Sequence, residues 1–303
     1  MSMKKRGLLR TATLYAHIDS ISSRKTTGKS KKKLLCALLL HLKKHQPQDV
    51  PLNKVDRWFV VHFLNYIKQA EVSYGRQSKI LNNNTQCCYF KLLKYVLNDA
   101  LRRGKVSDTP CLQITHEEKP RRKHTERVYL TLEELKLLAQ NQSMDPHVLH
   151  HAFLFCCFCG LRHCDISTLT WDCVDRRTDG SVWLHIEQRK THTPLSIPLS
   201  KEAVKHLPDS VRSGGCHPVF SGLYSLGHCN LLLQRWMQAV GIRKHITFHC
   251  ARHTYAALLL NHGVEIYTVS KLLGHTRIQT TQIYAHLIDE TKKKAVDLLP
   301  ELP

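Results

Sequence analysis

His249 and Arg252 stand three residues apart, so a helix that carries both turns them to one face. Further along come His275, after Leu272-Leu273-Gly274, and Tyr284, after Thr280-Thr281. An arginine fork matches two phosphate oxygens, histidines accept or donate protons, and a tyrosine oxygen can act as a nucleophile. Together they suit phosphate chemistry with a tyrosine nucleophile. Arg162 lies upstream in Cys159-Gly160-Leu161-Arg162-His163-Cys164-Asp165, directly after an apolar segment whose burial would hold its side chain in place. Asp165, three residues on, is spaced to orient Arg162 or a neighbour. Lys190 falls at the expected tip of a hairpin, where it can reach over a bound backbone. Each group alone has an ordinary reading: His-x-x-Arg is commonly a solvated helix face, and Tyr284 is one of ten tyrosines. Tyr255 and Tyr267 sit inside apolar helical patterns and are expected to be packing residues.

The bulk composition supplies a reason for a phosphate to be there. Across 303 residues, 45 Lys and Arg oppose 24 Asp and Glu, a formal charge of +21. That imbalance points to a polyanion, with nucleic acid the commonest and an anionic membrane surface the rival. The longest apolar runs, Leu34–Leu40 and Ala152–Leu161, fall short of the roughly 20 residues that span a bilayer. Arg10, His17 and Asp19 interrupt any signal-peptide core. Twelve cysteines without a signal fit free thiols in a reducing, cytoplasmic setting. Cys156, Cys157, Cys159, His163 and Cys164 resemble a zinc cluster only superficially. Their spacing is wrong for paired ligands on turns, and buried thiols on an apolar helix are expected.

The elements that must position these groups follow from periodicity. Residues 1–29 are expected to form a basic N-terminal arm, flexible in part. The first 50 residues hold twelve Lys or Arg against two Asp. Helical patterns then run through Leu34–Leu42, Val55–Ile67 and Tyr89–Ala100, the last entered by the Asn82-Asn83-Asn84-Thr85 cap and left at Gly104. Residues 30–114 thus predict a bundle of about four helices, and 115–127 a polar linker. A second domain, 128–303, opens with a Thr131-x-x-Glu134 capping box. It continues through an apolar helix over 147–161, two strands (Val182–Ile186 and Leu195–Leu199) joined by 188–193, and further helices. Thr247 and Gly263 are the expected ends of the His249 helix, Gly274 ends the next, and Thr276 is a candidate cap for a third short helix. The fold class is mainly α with a small β-hairpin or sheet.

In this order the chain resembles the tyrosine recombinase (phage integrase) family. The family's sequence of Arg, Lys, His-x-x-Arg, His or Trp, and Tyr is met by Arg162, Lys190, His249, Arg252, His275 and Tyr284. The local contexts match too: Gly-Leu-Arg, Lys-Thr, Arg-His-Thr, Leu-Leu-Gly-His and Thr-Thr-x-x-Tyr. The likeness is strong over 125–290 and weaker over 30–114, which looks like the family's helical core-binding (SAM-like) domain. Asp165 departs from the family's usual Glu, and Ala251 from its frequent Leu; neither removes a catalytic group.

The resemblance implies a site-specific recombinase acting on double-stranded DNA through a 3′-phosphotyrosyl link and a Holliday junction, without metal, cofactor or ATP. It implies Tyr284 as nucleophile, Arg162 and Arg252 as the phosphate clamp, and Lys190 as general acid. His249 would be proton acceptor or positioner for Tyr284, His275 a phosphate ligand, and Asp165 a support. A homotetramer on DNA from a free monomer, an accessory DNA-bending protein and a nucleoid location also follow from the family. The segment Ile288–Leu299 is expected to dock on a neighbouring subunit; packing on its own domain is the alternative. A catalytically idle DNA-binding protein and a type IB topoisomerase are the competing functions.

Overall fold

The computed structural model describes residues 12–74, 77–123, 127–141, 147–208 and 215–284, and divides the chain into two compact units, Met1–Thr125 and Glu126–Pro303. The segment Ile288–Leu299 lies outside the described residues.

In the first unit, α1 (Leu14–Ser23) buries Leu14, Ile18 and Ile21, spaced i, i+4, i+7 on one stripe. This corrects the expectation for 1–29, since its second half is core. The pattern is hidden in sequence because Leu14, Tyr15, Ile18 and Ile21 carry it on a helix of only ten residues amid polar neighbours. α2 (Lys29–His45) packs Leu35, Leu38, Leu39 and Leu42 inward and carries Lys43 and Lys44 in its last turn, cations suited to the negative end of its dipole. α3 (Arg57–Gln69) starts where Asp56 accepts from the Phe59 amide at 2.8 Å. An antiparallel hairpin, β1 (Glu71–Tyr74) and β2 (Gln77–Ile80), was not foreseen. α4 (Asn83–Arg102) begins at the Asn82 cap and is followed by Gly104 at φ +65°.

One buried acid ties the ends of this unit together. Asp99 on α4 is 5% exposed and receives Arg24 through two bonds (2.9 and 2.7 Å) and Arg103 through one (3.0 Å), while His17 of α1 stands 3.3 Å away. The Arg24 and Arg103 guanidiniums hold its pKa well below the usual carboxylate range against the opposing effect of burial. Removing the acid strands buried His17 among cations. Asp99→Ala is therefore expected to destabilise the first unit by about 2–4 kcal/mol, read from denaturant midpoints. An unchanged midpoint would show the network to be ornamental.

The second unit has a helical core and one small sheet. α5 (Leu132–Gln140) has the expected capping box, with both Thr131–Glu134 bonds formed. α6 (His147–Cys159) is apolar on every side, with Ala152, Phe153, Phe155, Cys156, Cys157 and Cys159 at 0% exposure. After α7 (His163–Ile166), β3 (Val174–Arg176), β4 (Val182–Glu187) and β5 (Pro194–Pro198) form an antiparallel sheet in the order β3-β4-β5. The two-strand expectation missed β3, whose three residues are too short for a visible alternation. Then follow α8 (Lys201–Lys205), α9 (Leu226–Ala239), α10 (Phe248–Asn261) and α11 (Ile266–Leu272). No helix among the described residues is long and apolar enough to cross a membrane.

At the end of α8, His206 packs against Phe158 and the rings of His150 and His151. Neither of its ring nitrogens makes a hydrogen bond. Burial, with His151 and His150 adding to it, lowers its pKa to about 4. The sign is fixed by linkage. The unfolded chain takes up this proton as pH falls through about 6.5, whereas the folded chain resists until about 4, so stability is full above that window and is lost on descending it. His206→Leu should make the loss between pH 7 and pH 5 smaller by about 2 kcal/mol, measured as urea midpoints at the two pH values. Equal losses in the two proteins would refute the assignment.

Candidate active site

The site is built in the second unit from three chain reversals. α6 ends at Gly160, whose φ of +73° is cheap only for glycine. A Cβ there would lie 2.5 Å from Cδ1 of Tyr255, so α6 and α10 meet closely at this point. The Gly160 carbonyl is thereby presented to α10, where it accepts from Arg252 Nη1 at 2.8 Å. The Leu273 carbonyl at the end of α11 accepts from Arg252 Nη2 at 2.6 Å and from Gln188 Nε2 at 3.0 Å. Gly274 lets that side chain in, since a Cβ would stand 2.6 Å from Gln188 Nε2. Arg252 is thus 3% exposed and held on two sides by backbone, with three of its five donors unspent. Burial, and secondarily Arg162, lowers its pKa to about 10, which leaves it cationic at neutral pH.

Arg162 caps α7 in an extended conformation. Its Nη1 is buried without a hydrogen-bond partner and stands 3.8 Å from Asp165 Oδ2. Asp165, 4% exposed, accepts from the Arg189 amide at 3.0 Å through Oδ1. The aspartate therefore fixes the β4–β5 turn that carries Lys190, which is exposed. Gln188, fully buried, anchors the same turn by accepting from Thr191 Oγ1 at 2.8 Å.

His249 opens to solvent, yet partial burial and then the cations Arg252, Arg162, Lys190 and Arg127 hold its pKa below the ordinary histidine value. Its ring meets that of His253 edge-on at 4.7 Å. His275 bonds through Nδ1 to the buried Thr281 hydroxyl at 2.8 Å. Burial, then Arg252, Arg162 and His249, lower its pKa to about 4. Tyr284 is 2% exposed in a cluster with Tyr255, Ala256, Leu260, Val269 and Leu273. Burial raises its pKa to about 12, with Arg252 and Arg127 pulling the other way.

All seven sequence-predicted residues therefore share one region, joined by bonds or by mutual electrostatic influence. One partnership differs from expectation. The Tyr284 hydroxyl is hydrogen-bonded to Nδ1 of His253, not to His249. His253 was missed, as was Gln188; the available signal for His253 was its i+4 spacing from His249 on the same helix face. Thr276 is not the final cap, since the short turn Ile278–Thr280 is entered from Arg277. Tyr255 does pack, at 8% exposure, whereas Tyr267 is 56% exposed with Lys271 5.0 Å over its ring, because its position on α11 points outward. The α6 cysteines are buried free thiols, and no cluster among the described residues could hold a metal ion.

A small helical unit followed by a mainly helical one with a three-stranded sheet, bearing this order of cations, histidines and tyrosine, is the tyrosine recombinase class of fold. The phage integrase family profile matches residues 128–291, and the phage integrase SAM-like domain matches 13–115. The chain belongs to the phage integrase family. It is 26% identical over 273 residues to a tyrosine recombinase of Pseudothermotoga lettingae, covering 88% of each chain. It is 28% identical over 304 residues to a XerC-like tyrosine recombinase of Caldanaerobacter subterraneus subsp. tengcongensis, covering 80% of this chain and 76% of that one. Among solved structures, the Tn1549 transposon integrase in complex with a circular intermediate DNA superposes with a TM-score of 0.72 at 16% identity, covering 95% and 99% of the two chains. A lambda integrase tetramer bound to a Holliday junction gives 0.68 at 20%, covering 88% and 78%.

Proposed function

We propose that this chain is a site-specific DNA recombinase that cuts and rejoins duplex DNA through a covalent bond to Tyr284. The observation that carries the reading is the gathering of Arg162, Arg252, Lys190, His249 and His275 about one tyrosine, with a buried arginine nitrogen left without a partner. Cations held in place by protein stabilise a pentavalent phosphoryl centre without reorganising, which is where most of the rate would come from. The Tyr284 oxygen forms a bond to phosphorus as the bond to the 5′-oxygen breaks. The phenol proton passes to His253, its hydrogen-bond partner, and Lys190 protonates the departing 5′-oxygen. Arg162 and Arg252 hold the non-bridging oxygens, His275 bonds one of them, and His249 lines the approach. Asp165 acts by fixing the turn under Lys190. The phosphotyrosyl ester conserves the bond energy, so rejoining needs no ATP. Because Tyr284 is 2% exposed, the described conformation is a resting one, and the stretch after His275 must shift before a phosphate meets the hydroxyl.

The basic 1–29 segment and the helical 30–114 region would embrace the duplex with the 115–127 linker alongside, and the 128–303 domain would do the chemistry. Four copies on two DNA sites, with Ile288–Leu299 exchanged between neighbours, complete the reading. It is supported by the lambda integrase tetramer among the structural relatives. The test uses duplexes selected for binding from a random-sequence library and then nicked beside the bound centre to trap the cut strand. An adduct stable to denaturant, whose DNA-linked peptide maps to Tyr284, is expected. Tight, selective binding with no adduct at any nick position would leave only a DNA-binding protein. Relaxation of supercoils without site preference would make it a topoisomerase.

A further inference from the structure

Gln188 is a polar residue with no exposed surface, at the base of the turn that carries Lys190. An apolar side chain would fill that space at a smaller desolvation cost, so the reason for a glutamine lies in its hydrogen bonds. Its neighbours fix its orientation. The Leu273 carbonyl can only accept, so Nε2 must face it, at 3.0 Å, and Oε1 is turned to the Thr191 hydroxyl, at 2.8 Å. Main-chain bonds close the same turn: the His192 amide donates to the Gln188 carbonyl at 2.8 Å, and the Gln188 amide to the Thr193 carbonyl at 3.0 Å. Lys190 therefore sits between two tethers. On one side the Arg189 amide is held by Asp165, whose other oxygen stands 3.8 Å from Arg162 Nη1. On the other, Thr191 is held by Gln188, which shares the Leu273 carbonyl with Arg252 Nη2. Each arginine is thus linked to one flank of the lysine.

We propose that Gln188 is a positioning residue for Lys190: its amide ties the β4–β5 turn to the carbonyl that holds Arg252, and so sets where the ammonium stands relative to the clamped phosphate. The need is geometric. In the proposed reaction the bond from phosphorus to the 5′-oxygen breaks, that oxygen keeps the electron pair, and its proton comes from Lys190 Nζ. Lys190 is exposed, and its long flexible stem leaves the ammonium many positions unless the turn beneath it is fixed. A misplacement of about 1 Å costs a reacting group up to about 10²-fold in rate. Gly274 belongs to the same device, since a Cβ there would stand 2.6 Å from Gln188 Nε2 and push the amide off its carbonyl.

This inference rests on the proposed strand transfer with Lys190 as general acid, and its test separates the two. Nicked duplexes are compared that carry either oxygen or sulfur as the 5′-bridging atom of the scissile bond. A thiolate departs without a proton, so sulfur removes the need for an acid. Gln188→Met nearly keeps the volume and drops both side-chain bonds. It should slow single-turnover adduct formation about tenfold on the oxygen duplex and stay within about twofold of the natural chain on the sulfur one. Lys190→Ala should fall further on oxygen, about 100-fold, and be restored by sulfur in the same way. Thr191→Val cuts the tether at its exposed end and leaves the core alone. It should match Gln188→Met, and the double variant should lose no more than either alone. Equal slowing of Gln188→Met on both duplexes would put its effect on the phosphate clamp or the fold and overturn the proposal. So would a Lys190→Ala defect that sulfur leaves in place. Hydrogen exchange in the full chain without DNA is independent of catalysis: the His192 amide should exchange at least about tenfold faster in Gln188→Met, with α6 and α10 unchanged. An unchanged His192 amide would overturn the proposal. If the natural sequence forms no adduct on either duplex, the recombinase reading fails while the exchange rates still decide whether Gln188 holds the turn.

Discussion

Tyr284→Phe abolishes the covalent DNA adduct while the chain still folds and binds DNA: this is the largest effect expected of any single substitution here. Phenylalanine keeps the ring that packs among Tyr255, Leu260 and Leu273, so no cavity opens. Only the hydroxyl and its bond to His253 are lost, costing about 1 kcal/mol of stability. Losing the proposed nucleophile should reduce single-turnover cleavage at least about 10⁴-fold, since neighbouring groups cannot replace the attacking oxygen. Binding measured by gel shift should stay within about twofold. Tyr267→Phe is the control, because that exposed ring is the tyrosine a stray adduct would reach first. An adduct that survives Tyr284→Phe would reassign the nucleophile.

Arg252→Lys is the second. A lysine keeps the charge but offers one compact ammonium where the guanidinium spans two carbonyls and, in the proposed reaction, would still hold the phosphate. Either Gly160 O loses the donor that Arg252 gives it or Leu273 O keeps Gln188 alone, a loss of about 1–3 kcal/mol in stability. The rate of adduct formation should fall about 10³-fold or more, as for other arginines that stabilise phosphoryl transfer. DNA affinity and its salt dependence should hardly change, since the net charge does not. That split between rate and binding is the measurement. A lysine variant within tenfold of the natural rate would mean that charge alone, and not the planar fork, is what the site uses.

The comparison of expectation with structure turns on particular residues. Arg162, Lys190, His249, Arg252, His275 and Tyr284 were legible because their order and neighbours are local text. The capping box at Thr131 and Glu134, the Gly160 and Gly274 stops and the β4–β5 hairpin were legible for the same reason: each is a short-range rule of backbone geometry. What escaped is long-range. Asp99 meets Arg24 across 75 positions, Gln188 reaches Leu273 across 85, and Leu130 is anchored to Thr254 across 124. No periodicity encodes such pairs.

By itself, then, the sequence determined the mainly helical class and the proposed catalytic set with its order, because side-chain type and helical spacing are properties of neighbouring residues. Only the tertiary structure decided which histidine holds Tyr284 and which carbonyls hold Arg252. His249 and His253 differ by one helical turn, and only the packing of the Tyr284 segment against α10 brings the hydroxyl to one ring and not the other.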